Sequence, residues 1–142
     1  MFDYSYRYFY RDGYGKDYRI LNLPDDSDED VRETYLTACL LGFYEQQRLY
    51  DDHEADLIPY LVERPLWVLV GSKVNAVAKR GGRSVSDVVD VLLFLSRFVS
   101  NREDSVARLK RLIGGRPGLL DSKGQEIFGD CFLHVAGLGL SP

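Results

Sequence analysis

Between Pro65 and Gly71 the chain runs through five apolar residues, Leu66-Trp67-Val68-Leu69-Val70, with no polar alternation. An apolar run of this length, closed by breakers at both ends, predicts a strand buried on both faces, as in a parallel sheet covered by helices. Nothing else in the 142 residues reads as a second strand of that kind. A lone buried strand leaves its backbone donors and acceptors unsatisfied, because both edges need neighbours. The remaining strands must come from another chain or from a longer polypeptide. That requirement shapes every other expectation.

Upstream, Phe2, Tyr4, Tyr6, Tyr8 and Tyr10 recur at period two, with Asp3, Ser5, Arg7 and Arg11 mostly on the other parity and Phe9 breaking the rule. This predicts an aromatic strand. Gly13 and Gly15 supply a turn within Arg11–Asp17, and Tyr18 to Leu23 returns before Pro24. Residues 1–24 are therefore read as a β-hairpin. Aromatics beside Arg7, Arg11 and Arg19 also suit a stacking surface for single-stranded nucleic acid; the aspartates at 3, 12 and 17 would repel phosphates, and packing is the preferred reading. The acidic run 25–30 opens a helix, Asp26 and Glu29 having capping-box spacing. Apolar residues at three and four (Val31, Tyr35, Ala38, Leu41 and Leu36, Leu40, Phe43, Tyr50) carry it to about Leu57. A connector follows, making 25–64 the second unit.

Residues 65–142 form the third unit. After the strand comes a basic loop, Lys73 to Arg83, with Gly81-Gly82. Ser84 and Asp87 then start a helix whose core side is Val88, Val91, Leu92, Leu95 and Phe98. A further helix spans about Glu103 to Ile113, and Ile127, Phe128, Phe132 and Val135 suggest one more short helix. The fold class expected is α/β, mixed and helix-rich: an N-terminal β-hairpin, a long helix, and an incomplete lobe built on one strand.

Charge divides the chain. Residues 1–63 hold 6 Lys/Arg against 15 Asp/Glu, a net of −9; residues 64–142 hold 12 against 7, a net of +5. The basic half meets a polyanion or faces the acidic half, and charge alone does not choose. Hydrophobic content of 45% beside 28% charge excludes a disordered tail, a coiled-coil rod and a membrane span. Without a leader pattern, and with Cys39 and Cys131 as its two cysteines, the chain is expected in the cytoplasm with reduced thiols.

Catalytic and metal motifs are few. There is no Gly-x-x-x-x-Gly-Lys-Ser/Thr phosphate loop and no Asp-Glu-x-His box. Cys131 and His134 have ligand-like spacing, but Cys39 and His53 lie about four turns apart on one helix and cannot complete a zinc site. Asp87 and Asp90 in a first helical turn serve capping and dipole compensation. The best site candidate is the basic loop, Ser72, Lys73, Lys79, Arg80 and Arg83, since loops after parallel strands hold ligands and this chemistry suits a phosphate backbone. The alternative there is a solvated loop.

Phe2-Asp3-Tyr4-Ser5, Tyr14-Gly15-Lys16-Asp17-Tyr18-Arg19-Ile20-Leu21-Asn22-Leu23-Pro24 and Pro65-Leu66-Trp67-Val68-Leu69-Val70-Gly71-Ser72 resemble DEAD/DEAH-box helicases of the type III restriction enzyme Res-subunit group, in superfamily 2. Ser86-Asp87-Val88-Val89 and Leu93-Phe94-Leu95 extend the likeness. It implies an internal segment, from the end of the first RecA-like motor lobe into the second, with Leu66–Ser72 in the region called motif IV. The implied function is that of a fragment of an ATP-dependent DNA helicase or translocase, contributing lobe packing and backbone contact through Ser72, Lys73, Lys79, Arg80 and Arg83. Its partners would be DNA and the rest of the motor. ATP and magnesium would belong to a full-length parent, because Walker A, the Asp-Glu-x-His box, motif V and the motif VI arginine are absent, and this chain alone should not hydrolyse ATP. The alternative is a free-standing protein-interaction module without catalysis.

Overall fold

The computed structural model describes residues 5–13, 28–70, 78–80, 83–85, 87–115, 117–129, 131, 132, 134 and 135. In chain order these form helices α1 (Tyr6–Arg11) and α2 (Glu29–Leu57) and a 3-10 turn at Ile58–Tyr60. Strands β1 (Ala78–Arg80) and β2 (Arg83–Val85) follow, then helices α3 (Asp87–Ser100) and α4 (Arg102–Ile113). The protein is mainly α, which overturns the α/β expectation.

α2 is the spine. Its start is set by Asp28, whose Oδ1 accepts from the backbone N–H of Asp30 at 2.8 Å and of Val31 at 3.3 Å. The cap is thus Asp28 rather than Asp26, with Glu29 and Asp30 in the first turn at the positive end of the dipole. The helix runs to Leu57, the end expected from the sequence. Of its buried residues, Glu33, Thr34, Thr37, Ala38, Leu41 and Glu45 recur at one, three and four along a single face, and Tyr50, five further on, lies off it. That face is unusually polar, and each buried carboxylate on it has a donor.

The core sits between α2, α4 and the segment after α4. Ala38 and Leu41 meet Leu112, Leu119, Phe128, Phe132 and Val135, with Val31, Tyr35, Leu109, Ile127 and Cys131 around them. Phe128 stacks on Phe132 at 5.8 Å and meets Tyr35 edge-on at 5.8 Å. Phe132 has φ +66°, a left-handed conformation unfavourable for a bulky residue, and the Phe128 stack and core burial hold it there. The short helix expected around Ile127–Val135 is not formed among the described residues, which make isolated turns there (Cys131 N–H to Phe128 O at 3.1 Å, Val135 N–H to Phe132 O at 3.2 Å), and a tight reversal precedes them. Leu120 bridges Glu126, Ile127 N–H donates to Leu119 O at 2.8 Å, and Gly124 turns the chain at φ +76°.

Three further expectations fail. The N-terminal β-hairpin is not formed at Tyr6–Arg11, which is helical; residues 1–4 and 14–24 lie outside the described residues. Aromatics this dense satisfy two periods at once: Tyr6 meets Phe9 at 6.5 Å and Tyr10 at 6.1 Å, the i+3 and i+4 spacing of a helix. Leu66–Val70 is not a strand of any sheet. It runs as an irregular strap back over α2, where the Trp67 ring meets Phe43 at 5.9 Å in a tilted pair, Pro65 O accepts from Gln47 Nε2, and Val62 O accepts from the Tyr50 hydroxyl at 3.4 Å. The first strand of a RecA-like lobe is therefore absent at its expected place. Among the described residues the strands are β1 and β2, an antiparallel ribbon pairing Ala78 with Val85, Lys79 with Ser84 and Arg80 with Arg83.

Candidate functional site

Of the five residues expected to touch a phosphate backbone, Ser72 and Lys73 lie outside the described residues. Lys79, Arg80 and Arg83 lie on the ribbon, Arg80 and Arg83 at paired register positions on either side of the two-residue connection. The strand expected to aim this loop does not exist, so the sheet-edge argument for the site falls away while the clustering of the three cations along the chain remains.

The metal constellation does not assemble. Cys39 and His53 are both on α2, and the His134 backbone N–H donates to Glu45 Oε1 at 3.0 Å, tying the C-terminal segment to α2. Among the described residues no group of three or more His, Cys, Asp or Glu side chains could hold a metal ion. Burial pushes the Cys39 thiol up, a hydrogen bond with the Tyr35 hydroxyl opposing it weakly. Burial likewise raises Tyr35, followed by the charge and hydrogen bond of Cys39. A thiol held protonated is a poor nucleophile.

What the fold does assemble is an ionic junction of three helices. Glu33 on α2 is buried, and its Oε1 accepts from Arg97 Nε of α3 while Oε2 lies 3.7 Å from Arg108 NH1 of α4. Arg108 NH2 reaches Asp30 at 2.8 Å, and Arg97 NH2 lies 3.8 Å from Glu29. Ser105 Oγ on α4 donates to Phe98 O at 2.7 Å, closing the corner between α3 and α4. Sequence reading missed this junction because its partners lie 64 and 75 residues from Glu33; an unpaired Glu one turn inside a long helix was the available hint.

The junction fixes how α3 is rotated. Phe94 is 1% exposed and faces inward with Arg97. The opposite arc holds Val88 at 66% exposure, Leu92 at 60% and Val99 at 78%, flanked by the exposed Val89 and Leu93. At about 100° per residue the arc from Leu95 through Val88, Val99, Leu92, Ser96, Val89 and Ser100 to Leu93 spans roughly 160° and contains no charged residue. Val88 and Leu92, expected in the core, are outside it. An uncharged apolar face of this width is what marks interaction surfaces on proteins.

No helix among the described residues is long and apolar enough to cross a membrane. Comparison with protein-family models, with curated proteins and with solved structures finds no match to this chain.

Proposed function

We propose that this chain is a protein-interaction module without catalysis of its own, with the outer face of α3 as its docking surface. The observation that carries the reading is the rotation of α3, with Arg97 turned in to Glu33 and Val88, Leu92 and Val99 turned out. Helices of isolated domains point apolar stripes inward and charges outward; this rotation suits a helix whose second apolar layer is supplied by a partner.

Titration with the apolar dye ANS tests it. The folded chain should bind dye, and Leu92→Glu with Val99→Glu should lower that binding at least threefold without lowering the melting temperature. Dye binding that the double substitution leaves unchanged, or a melting temperature that drops as for a core substitution, overturns the reading.

A second reading follows the helicase resemblance: DNA-backbone contact by a motor segment through the ribbon. What supports it is the density of Lys79, Arg80 and Arg83 in a two-stranded antiparallel ribbon, an element narrow enough to enter a DNA groove.

A further inference from the structure

We infer that the partner of α3 is the α3 of a second copy of this chain, packed antiparallel as a short two-helix seam. The inference rests on α3 being the docking surface proposed above. Val88, Leu92, Leu95 and Val99 follow one another at spacings of four, three and four, the repeat by which one helix sets knobs into the holes of another. An irregular loop or a sheet edge has no use for that spacing; a helix does. The occupant is thus helical, and it must present an uncharged apolar seam of matching length.

The chain itself carries such a helix. Antiparallel pairing about the middle of α3 sets Val88 against Val99 of the second copy and Leu92 against Leu95, so branched residues meet residues of their own size along the whole seam. The positions beside the seam, Val89, Val91, Ser96 and Phe98, carry no charge, so a second copy meets no like-charge repulsion there. The charged residues of α3 lie off the seam, with Arg97 engaged by Glu33 and Glu29, so orientation is set by the helix dipoles, which antiparallel packing opposes. Parallel packing would set like ends together. α3 has 14 residues, about 21 Å of helix, so the shared area falls at the small end of specific interfaces. Dimerisation is accordingly weak.

Sedimentation equilibrium of the full chain, from about 10 µM to about 1 mM, reads this directly. The expected result is a rise toward twice the chain mass across that range. Leu92→Lys should weaken association at least tenfold, as should Leu95→Glu alone. An equimolar mixture of the two should regain it, because the antiparallel register pairs position 92 with position 95. Recovery on mixing Leu92→Lys with Leu92→Glu instead would establish a parallel pair and overturn the stated geometry. A chain that stays monomeric at the highest concentration, while still binding ANS through Leu92 and Val99, overturns self-association and leaves the docking surface to a different helix. Loss of that dye binding as well removes the docking surface itself.

Discussion

Replacing Glu33 by alanine isolates the energy of the three-helix junction. Breaking a fully buried ion pair by deleting one partner costs about 3–5 kcal/mol. Two features lower the figure here. Arg97 remains 38% exposed and keeps Glu29 at 3.8 Å, and Arg108 keeps Asp30 at 2.8 Å, so neither guanidinium is stranded without a carboxylate. The loss should be about 2 kcal/mol, which lowers the melting temperature by roughly 4–8 °C for a chain of this length. Glu33→Gln keeps an acceptor for Arg97 Nε and should cost about half as much. Urea titration of Glu33→Ala, Arg97→Leu and the double variant gives the coupling between them. A coupling of about 1–2 kcal/mol is expected for groups in direct contact. Additive losses, with the double variant equal to the sum of the singles, would refute the claim that Glu33 orients α3 through Arg97.

Two other expectations are independent of that junction. Asp121 Oδ1 accepts from the backbone N–H of Lys123 at 2.8 Å and of Gln125 at 2.9 Å, and these bonds, Gln125 first, hold its carboxyl below the ordinary value of 3.8. A lowered folded-state pKa adds stability that is fully present above the unfolded value and lost as pH falls through the folded one. The stability gap between the parent and Asp121→Ala should therefore be constant from pH 7 to about 5 and close below about 4, and a gap unchanged at pH 3 in urea melts would contradict the turn's hydrogen bonding. If the ribbon contacts a DNA backbone, Lys79→Ala, Arg80→Ala and Arg83→Ala together should weaken binding and flatten its dependence on salt by up to about three ions; a parent chain that binds no DNA at 50 mM salt sinks that reading.

The parts legible in the sequence were those fixed by local chemistry. An acidic N-terminus followed by a 3.6-residue repeat located α2, and Gly114-Gly115 marked the end of α4. Period alone failed where a segment satisfied two periods, as Tyr6–Arg11 does. It failed again at Leu66–Val70, since an apolar run bounded by Pro and Gly is the same in sequence whether it enters a sheet or lies on a helix through one tryptophan. The Asp121-Ser122-Lys123-Gly124-Gln125 turn carries its own signal, Asx-turn chemistry ahead of a glycine at positive φ, but no expectation was drawn from it, and a helix was read from Ile127, Phe128, Phe132 and Val135 beyond it. The three-helix junction was not readable, because nothing local pairs Glu33 with Arg97.

That last omission explains the error on α3. A helix with apolar residues nearly all round can be seated in several rotations, and the choice lies with its few polar groups. Turning Val88, Leu92 and Val99 and their neighbours inward would gain roughly 4–8 kcal/mol from the area now exposed. It would expel Phe94 from its buried position, a loss of about 1.5–3 kcal/mol on the same scale, and strip Glu33 of its closest guanidinium, a further loss of about 2 kcal/mol, since Arg108 stays beside it. On these magnitudes the two rotations are close to balanced for the chain alone, and the observed one wins once a second apolar layer covers the outer face, because both gains are then realised together. A buried ion pair that adds little to stability can in this way decide which face of a helix is left for a partner.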